Sequence, residues 1–137
     1  MLDTDVVVAA LRSPSRASAA LLERIDDGDA TMLLSVPLAL EYEAICHLAE
    51  HRLASGLSAQ EVDSFVNTLM AMAVPVEAYF LWRPQLRDAG DEMVLETAIN
   101  GRADALVTFN QRDYGDAPVA FGIEVLLPRE ALRRVKQ

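Results

Sequence analysis

Residues 87–108 read RDAGDEMVLETAINGRADALVT, and this stretch predicts a helix that leads directly into a buried strand. The helix follows Asp91 and ends near Asn100 and Gly101, since glycine commonly terminates helices. The strand spans residues 103–109, an apolar run of strand length. A helix that leads closely into a buried strand is typical of the units from which parallel sheets are built.

The same alternation continues on both sides of this stretch. Further strands are predicted at residues 31–35, 74–77 and 123–126. Helices are predicted over residues 17–25, from Ser35 to about His51, from Ser58 onward and from Pro128 onward, while residues 4–11 fit either a strand or a buried helix. We therefore expect an α/β fold, with a parallel sheet and helices on both faces, in a single domain that spans residues 1–137.

The composition excludes several classes of function. The chain has 12 basic and 21 acidic residues, a net charge of −9, which argues against a sequence-specific DNA-binding module because such modules neutralise phosphates. Its one lysine, Lys136, leaves no residue for a P-loop, a Schiff base or a lysine-dependent phosphotransfer pocket. An enzyme that binds divalent metal ions through carboxylates remains compatible with this charge.

The cysteine content and the apolar runs predict a cytoplasmic location. Cys46 stands alone, so the sequence predicts neither a disulfide framework nor a zinc cluster. No apolar run approaches the length that spans a bilayer, and the first residues lack the pattern of a signal peptide. We therefore expect no membrane partner.

Two acidic side chains fall on apolar helical faces. Glu41 has Leu38 and Ile45 as helical neighbours, and Asp91 aligns with Leu95 in the same way. A buried carboxylate is costly unless it is paired, protonated or bound to a metal ion. Glu41 and Asp91 are therefore candidate functional residues.

Neighbouring acids on the same helices are expected on the surface. Glu43 falls on a mixed and more polar face than Glu41. Glu92 and Glu96 lie four residues apart, and such a like-charged pair is favourable only in water. The sequence therefore predicts that Glu92 and Glu96 are both solvated.

Two more acids are expected at the edge of the sheet where Glu41 and Asp91 would lie. Asp3 begins an apolar run, and Asp113 follows the strand that ends near Thr108. Because the carboxyl ends of parallel strands share one edge, the four acids are expected to converge there. Carboxylates without basic partners favour Mg²⁺ or Mn²⁺, and such a site suits phosphodiester hydrolysis.

Each acid also has a purely structural interpretation. A helix cap would explain Asp91, and the helix dipole would favour Glu41 in a first turn. A turn would explain Asp113, and a polar terminus would explain Asp3. The expected convergence of all four is the stronger indication.

Several motifs in order resemble those of one family. They are residues 2–6 (LDTDV), 38–43 (LALEYE), 87–98 (RDAGDEMVLETA), 103–108 (ADALVT) and 127–130 (LPRE). Together they strongly resemble the PIN-domain family, and within it the VapC-like ribonuclease toxins of bacterial toxin–antitoxin systems. The resemblance covers nearly the whole chain, and residues 87–108 are its most specific part.

This resemblance implies a three-layer α/β/α domain and a metal-dependent ribonuclease. The family's acidic tetrad corresponds to Asp3, Glu41, Asp91 and a fourth acid after the strand. The resemblance implies that Asp3 and Asp91 hold Mg²⁺ or Mn²⁺ and that Glu41 completes the site. Thr4 and Thr108 would hydrogen-bond the carboxylates; the implied partners are an RNA substrate, a small cognate antitoxin and a second copy in a homodimer.

The chain departs from the family pattern at three places. Only two residues precede Asp3, where the family usually has a full strand. Many members have Asn where this chain has Asp5, and Asp where it has Asn110. We therefore expect Asp113 to supply the fourth acid and the third metal-binding carboxylate, with Asp5 and Asn110 in supporting positions.

Contacts with RNA phosphates must come from local arginines, because the overall charge is negative. Arg12, Arg87 and Arg112 lie near the predicted edge of the sheet and are the candidates. The alternative is that each is an ordinary surface residue.

Three other interpretations compete with this one. His47, Glu50 and His51 match the H-x-x-E-H pattern of inverted zinc peptidases, although two surface histidines on a helix explain them more simply. Asp3 and Asp5 have the spacing of haloacid-dehalogenase-like phosphatases, but the hydrophobic strand and catalytic lysine of that fold are missing. A PIN-like domain with a decayed site would serve instead as a protein-binding module.

Overall fold

The fold alternates helices with short parallel strands, as a computed structural model shows for residues 1–77 and 89–136. The helices of this part are α1 (Thr4–Arg12), α2 (Ala17–Asp26), α3 (Val36–Cys46), α4 (Ala49–Ser55), α5 (Ala59–Met72), α6 (Ala89–Asn100), α7 (Gln111–Tyr114), α8 (Ala117–Ala120) and α9 (Pro128–Lys136). The strands are β1 (Leu33–Leu34), β2 (Val74–Pro75), β3 (Ala105–Val107) and β4 (Glu124–Leu126). The predicted α/β class is confirmed.

The strands pair in parallel, as the alternation with helices predicts. β1 pairs with β2, and β3 pairs with β4. The first residues of the chain run along the other edge of β3, where Leu2 forms a parallel bridge with Val107. The Asp3 amide donates to the Val107 carbonyl over 2.9 Å, so the short segment before Asp3 lies beside β3 like a strand.

Residues 4–11, which fit a strand or a helix, form most of α1. Asp3 has an extended backbone and caps this helix, because its carboxylate accepts a hydrogen bond from the Thr4 amide. Val6, Val7 and Leu11 are buried in the core. Tertiary packing therefore outweighs the preference of consecutive valines for strands.

The predicted helix from Ser35 to about His51 is interrupted. Ser35 caps α3 as expected, but α3 ends at Cys46. Leu48 has φ −58° and ψ 139°, so its backbone cannot continue a helix and instead begins α4. The prediction of one continuous helix was therefore wrong, and His47 lies outside the helix that carries Glu50 and His51.

The start of α5 and the end of α6 agree with the sequence, whereas α6 already contains Ala89, two residues before Asp91. Ser58 and Glu61 form the predicted capping box at the start of α5. Gly101 follows α6 and packs tightly, since a Cβ there would lie 2.7 Å from Leu33 Cδ1. In the part of the chain that the structure describes, no helix is both apolar and long enough to cross a bilayer.

Candidate active site

Asp3 is the central acid of the site, and it is buried. Its Oδ1 accepts from the Thr4 amide over 2.7 Å, and its Oδ2 accepts from the Thr108 hydroxyl over 2.7 Å. Its position follows from the fold, because the parallel bridge at Leu2 sets this acid beside the carboxyl end of β3. Asp3 therefore joins the start of α1 to the end of β3.

Asp5 belongs to the same group of hydrogen-bonded polar side chains as Asp3. Its Oδ2 accepts from the Phe109 amide and from the Asn110 side-chain amide, each over 3.0 Å. The Thr108 hydroxyl lies 3.4 Å from the same oxygen. The other oxygen, Oδ1, is buried without a hydrogen-bond partner within the described residues.

The carboxyl group of Asp5 is harder to ionise than an ordinary aspartate. Burial, and then the negative charge of Asp3, raise the pKa of Asp5 from 3.8 to about 6. Hydrogen bonds from the Phe109 amide and the Thr108 hydroxyl act in the opposite direction but do not cancel the rise. The two acids therefore repel each other in the absence of a bound cation.

Glu41 joins this group through Thr4. The Thr4 hydroxyl donates to Glu41 Oε2 over 2.7 Å, and the Glu41 side chain is partly exposed on α3. Tyr42, the next residue, is fully buried, and its hydroxyl donates to the Leu2 carbonyl. Burial, and then the charges of Asp3 and Glu41, raise the pKa of Tyr42 well above its usual range.

Asp91 approaches the group through Tyr114, a residue that the sequence patterns do not mark. Asp91 is partly exposed in the first turn of α6, and the buried Tyr114 hydroxyl lies 3.5 Å from its Oδ1. Burial, and then the charges of Asp3 and Asp91, raise the pKa of Tyr114 far above its usual range. The negative charges of both acids therefore act on the Tyr114 hydroxyl.

Tyr114 gave only a weak signal in the sequence. It follows the expected site residue Asp113, but it belongs to the short helix α7, where no periodic pattern shows which residue points inward. A hydroxyl on a buried aromatic ring beside predicted acids is the clue that would have identified it.

The prediction that Glu92 and Glu96 are solvated was wrong. Both side chains are 4% exposed. The like-charge argument considers one helix alone, whereas α6 is packed against other elements. The neighbouring prediction for Glu43, on the same helix as Glu41, is confirmed because that side chain is exposed.

Three other candidates, Asp113, Arg112 and Arg12, form no hydrogen bond or ion pair with these acids within the described residues. Asp113 is exposed on α7, and no hydrogen bond or ion pair within the described residues joins it to Asp3, Glu41 or Asp91. Arg112 is exposed beside it. Arg12 is exposed at the end of α1, where its Nη1 lies 3.4 Å from His51 Nδ1, and Arg87 lies outside the described residues.

The donor chemistry of the site suits a hard cation. The acids offer oxygen atoms alone, and the unpartnered Asp5 Oδ1 is an orphaned acceptor of the kind that a cation satisfies. Over residues 1–77 and 89–136, however, no three His, Cys, Asp or Glu side chains already stand close enough together to bind one metal ion. The acids are therefore suitable ligands for a metal ion, but within the described residues no three of their side chains surround one point.

The zinc-peptidase interpretation is not supported by the geometry. His47 Nε2 lies 2.6 Å from Asp63 Oδ1 on α5, whereas His51 contacts Arg12 and lies 3.7 Å from Glu50. The two histidines therefore do not share the helical face that the motif requires.

Comparisons with known proteins identify a domain over most of the chain. A family model described as a PIN domain matches residues 1–112. This range contains Asp3, Asp5, Glu41 and Asp91 and ends one residue before Asp113. No match was found among curated proteins or among solved structures.

Proposed function

Because the chain belongs to the PIN-domain family, whose members are generally nucleases, we propose that it is a metal-dependent endoribonuclease that hydrolyses RNA phosphodiester bonds. We further propose that it is a VapC-like toxin of a toxin–antitoxin pair. The phosphatase interpretation of Asp3 and Asp5 is set aside by this family membership.

One observation carries the proposal: two threonines, Thr4 through its amide and its hydroxyl and Thr108 through its hydroxyl, link three acids. Thr4 joins Asp3 to Glu41, and Thr108 joins Asp3 to Asp5. A purely structural aspartate cap at Asp3 would not need carboxylates on both sides. Like charges held together in this way favour a cation as their partner.

Asp3 and Asp91 are the carboxylates proposed to hold Mg²⁺ or Mn²⁺. A divalent ion held there would supply positive charge to the phosphate and would lower the pKa of a water molecule beside it. Thr108 fixes the orientation of Asp3 through Oδ2, and Tyr114 acts in the same way on Asp91 Oδ1. Thr4 donates to Glu41 Oε2, so Glu41 Oε1 would be the oxygen that accepts a proton from an attacking water.

The proposed partners are an RNA substrate, a small antitoxin and a second copy of the chain. Exposed apolar residues beside the site support a protein partner. Val36 and Leu40 are 74% and 62% exposed on α3, the helix that carries Glu41. An antitoxin that covered this face would restrain access to Glu41.

A protein-binding module with a decayed site is the second candidate. The absence, within the described ranges, of three potential ligands around one point favours it. The two candidates differ in whether purified protein cleaves RNA when metal is added.

The test is cleavage of a structured RNA pool by the protein purified free of any antitoxin. Mg²⁺ or Mn²⁺ is compared with EDTA, and wild type is compared with Asp91→Asn. Asp26→Asn is the matched control, because Asp26 is an exposed aspartate at the end of α2. We expect metal-dependent cleavage by wild type and by the control, and loss of cleavage in Asp91→Asn.

The other outcomes separate the two candidates. Cleavage that survives Asp91→Asn would contradict the assignment of this site. No cleavage by folded wild-type protein at any metal concentration would favour the binding module.

A further inference from the structure

A cavity of about 410 Å³ lies beside the candidate active site, between the end of α1, the start of α2 and the start of α9. Its walls include Ala9 of α1, Arg16 at the start of α2, Phe109, and Pro128 and Arg129 of α9. None of these residues belongs to the acidic group described above.

Two residues that line the cavity, Ala9 and Phe109, connect it to Asp5. Ala9 lies one turn after Asp5 on α1, about 6 Å further along the helix axis. Phe109 is joined to the same acid, because its amide donates to Asp5 Oδ2 over 3.0 Å. The cavity therefore lies next to Asp5, where an RNA strand that passes the acids can extend into it.

The charge of the cavity is opposite to that of the protein as a whole. Arg16 and Arg129 both line it, and both side chains are exposed. Arg24 and Arg134 form ion pairs with Asp29 and Glu124, whereas Arg16 and Arg129 form none within the described part of the chain. In a chain of net charge −9, two arginines without acidic partners favour an anion.

An aromatic face stands in the same cavity. Phe109 is 49% exposed, directly after the buried Thr108. An exposed phenylalanine alone has little meaning, but aromatic rings beside basic side chains are the usual means of binding single-stranded nucleic acid. The first turn of α2 adds backbone amide groups, since its N-cap residue Arg16 provides no side-chain cap.

We propose that this cavity binds one nucleotide of the RNA strand next to the scissile phosphodiester, with its base stacked on Phe109 and its phosphate contacted by Arg16 and Arg129. The inference rests on the proposed function for the identity of the ligand as RNA. It adds to that function a positioning subsite formed by residues that do not touch the reacting bond.

The experiment measures binding rather than cleavage, so that the two proposals can fail separately. Fluorescence anisotropy follows labelled oligoadenylate, and an abasic oligomer with the same backbone, in EDTA. The variants are Phe109→Leu and the double variant Arg16→Gln with Arg129→Gln. Phe121→Leu and Arg102→Gln are the matched controls, because both residues lie near the amino ends of β3 and β4, away from the cavity.

Each variant has its own expected result. Phe109→Leu weakens binding of oligoadenylate by about fivefold or more and leaves the abasic oligomer unaffected, because only a base can stack. The arginine double variant weakens binding of both oligomers and reduces the salt dependence by about 0.7 in log–log slope for each phosphate that the protein no longer neutralises. The controls bind both oligomers like wild type.

Other results would overturn the subsite. One is that wild-type protein does not bind oligoadenylate. Another is that the cavity variants bind like the controls, and a third is that Phe109→Leu weakens binding of both oligomers equally. Loss of binding in the cavity variants together with absent cleavage by wild type would instead sustain the subsite and reject the ribonuclease.

Discussion

The Thr108 hydroxyl donates a hydrogen bond of 2.7 Å to Asp3 although the two residues are 105 positions apart in the chain. Together with the hydrogen bond from the Asp3 amide to the Val107 carbonyl, this contact ties the N-terminal end of α1 to the carboxyl end of β3. Thr108 is fully buried, and Asp3 is nearly so. The position of the central acid therefore depends on the pairing of the first residues with β3.

Replacing Thr108 with valine keeps the shape of the side chain and removes this donor. Asp3 Oδ2 then loses its buried partner, so we expect the free energy of unfolding to fall by about 1–3 kcal/mol. Chemical denaturation measures it. Thr68→Val is the control, because Thr68 is exposed on α5 and donates to the Ser64 carbonyl, and it should cost less than about 0.5 kcal/mol. Equal costs in the two variants would contradict the role of Thr108.

Replacing Tyr114 with phenylalanine removes the hydroxyl beside Asp91 and leaves the ring in the core. Loss of a group that orients a metal ligand typically costs about 10- to 100-fold in metal affinity or activity, and we expect a fall of this size. The measurement is the rate of RNA cleavage as a function of Mn²⁺ concentration, with circular dichroism as a check on folding.

Tyr42→Phe is the comparison for this prediction. Its hydroxyl donates to the Leu2 carbonyl and not to a proposed metal ligand, so its loss should lower stability by about 1 kcal/mol. The Mn²⁺ concentration for half-maximal rate should increase in Tyr114→Phe alone. An unchanged metal dependence in Tyr114→Phe would show that its hydroxyl does not position Asp91.

Local patterns predicted those parts of the fold that local chemistry determines. Ser58 and Glu61 form their capping box, and the strand within residues 103–109 is β3. The link of Asp3 with Glu41 was expected from their places at one edge of the sheet, and Thr4 makes it. These predictions needed only helix caps, periodicity and the rule for parallel strands.

The parts that failed depend on contacts between elements. No proline or glycine marks the backbone turn at Leu48, so the sequence predicted a continuous helix there. Glu92 and Glu96 are buried by elements that a helical projection does not include. Tyr114 reaches Asp91 only because α7 folds back toward α6, which no pattern within α7 encodes.

Asp113 and Asp91 are expected to contribute differently to the rate of RNA cleavage, although the sequence predicted both as catalytic acids. Asp113 is exposed on α7, whereas Asp91 is partly exposed and its Oδ1 lies 3.5 Å from the buried Tyr114 hydroxyl. Asp113→Asn should therefore reduce metal-dependent cleavage less than Asp91→Asn does. Initial rates at saturating Mn²⁺ measure the difference, with Asp116→Asn as a nearby exposed control. Equal loss in the two acid variants would place Asp113 in the site as the fourth acid.

The repulsion between Asp5 and Asp3 predicts a pH dependence of stability in the metal-free protein. The pKa of Asp5 is raised to about 6 in the folded state, against an ordinary value of 3.8, so the folded protein binds a proton more tightly than the unfolded chain. Ionisation of Asp5 therefore lowers the free energy of unfolding as pH rises above about 6. Protonation of Asp5 restores that free energy as pH falls through about 6. The neutral variant Asp5→Asn should be more stable than wild type near pH 7.

The difference between the two proteins is the quantity to measure, because other acids also titrate in this range. Thermal unfolding in EDTA from about pH 4 to about pH 7 should show the advantage of Asp5→Asn shrinking as pH falls, since wild-type Asp5 also becomes neutral. Asp26→Asn, at the exposed end of α2, should show no such trend. An advantage for Asp5→Asn that stays constant with pH would mean that the carboxylate of Asp5 is not destabilised by its burial beside Asp3.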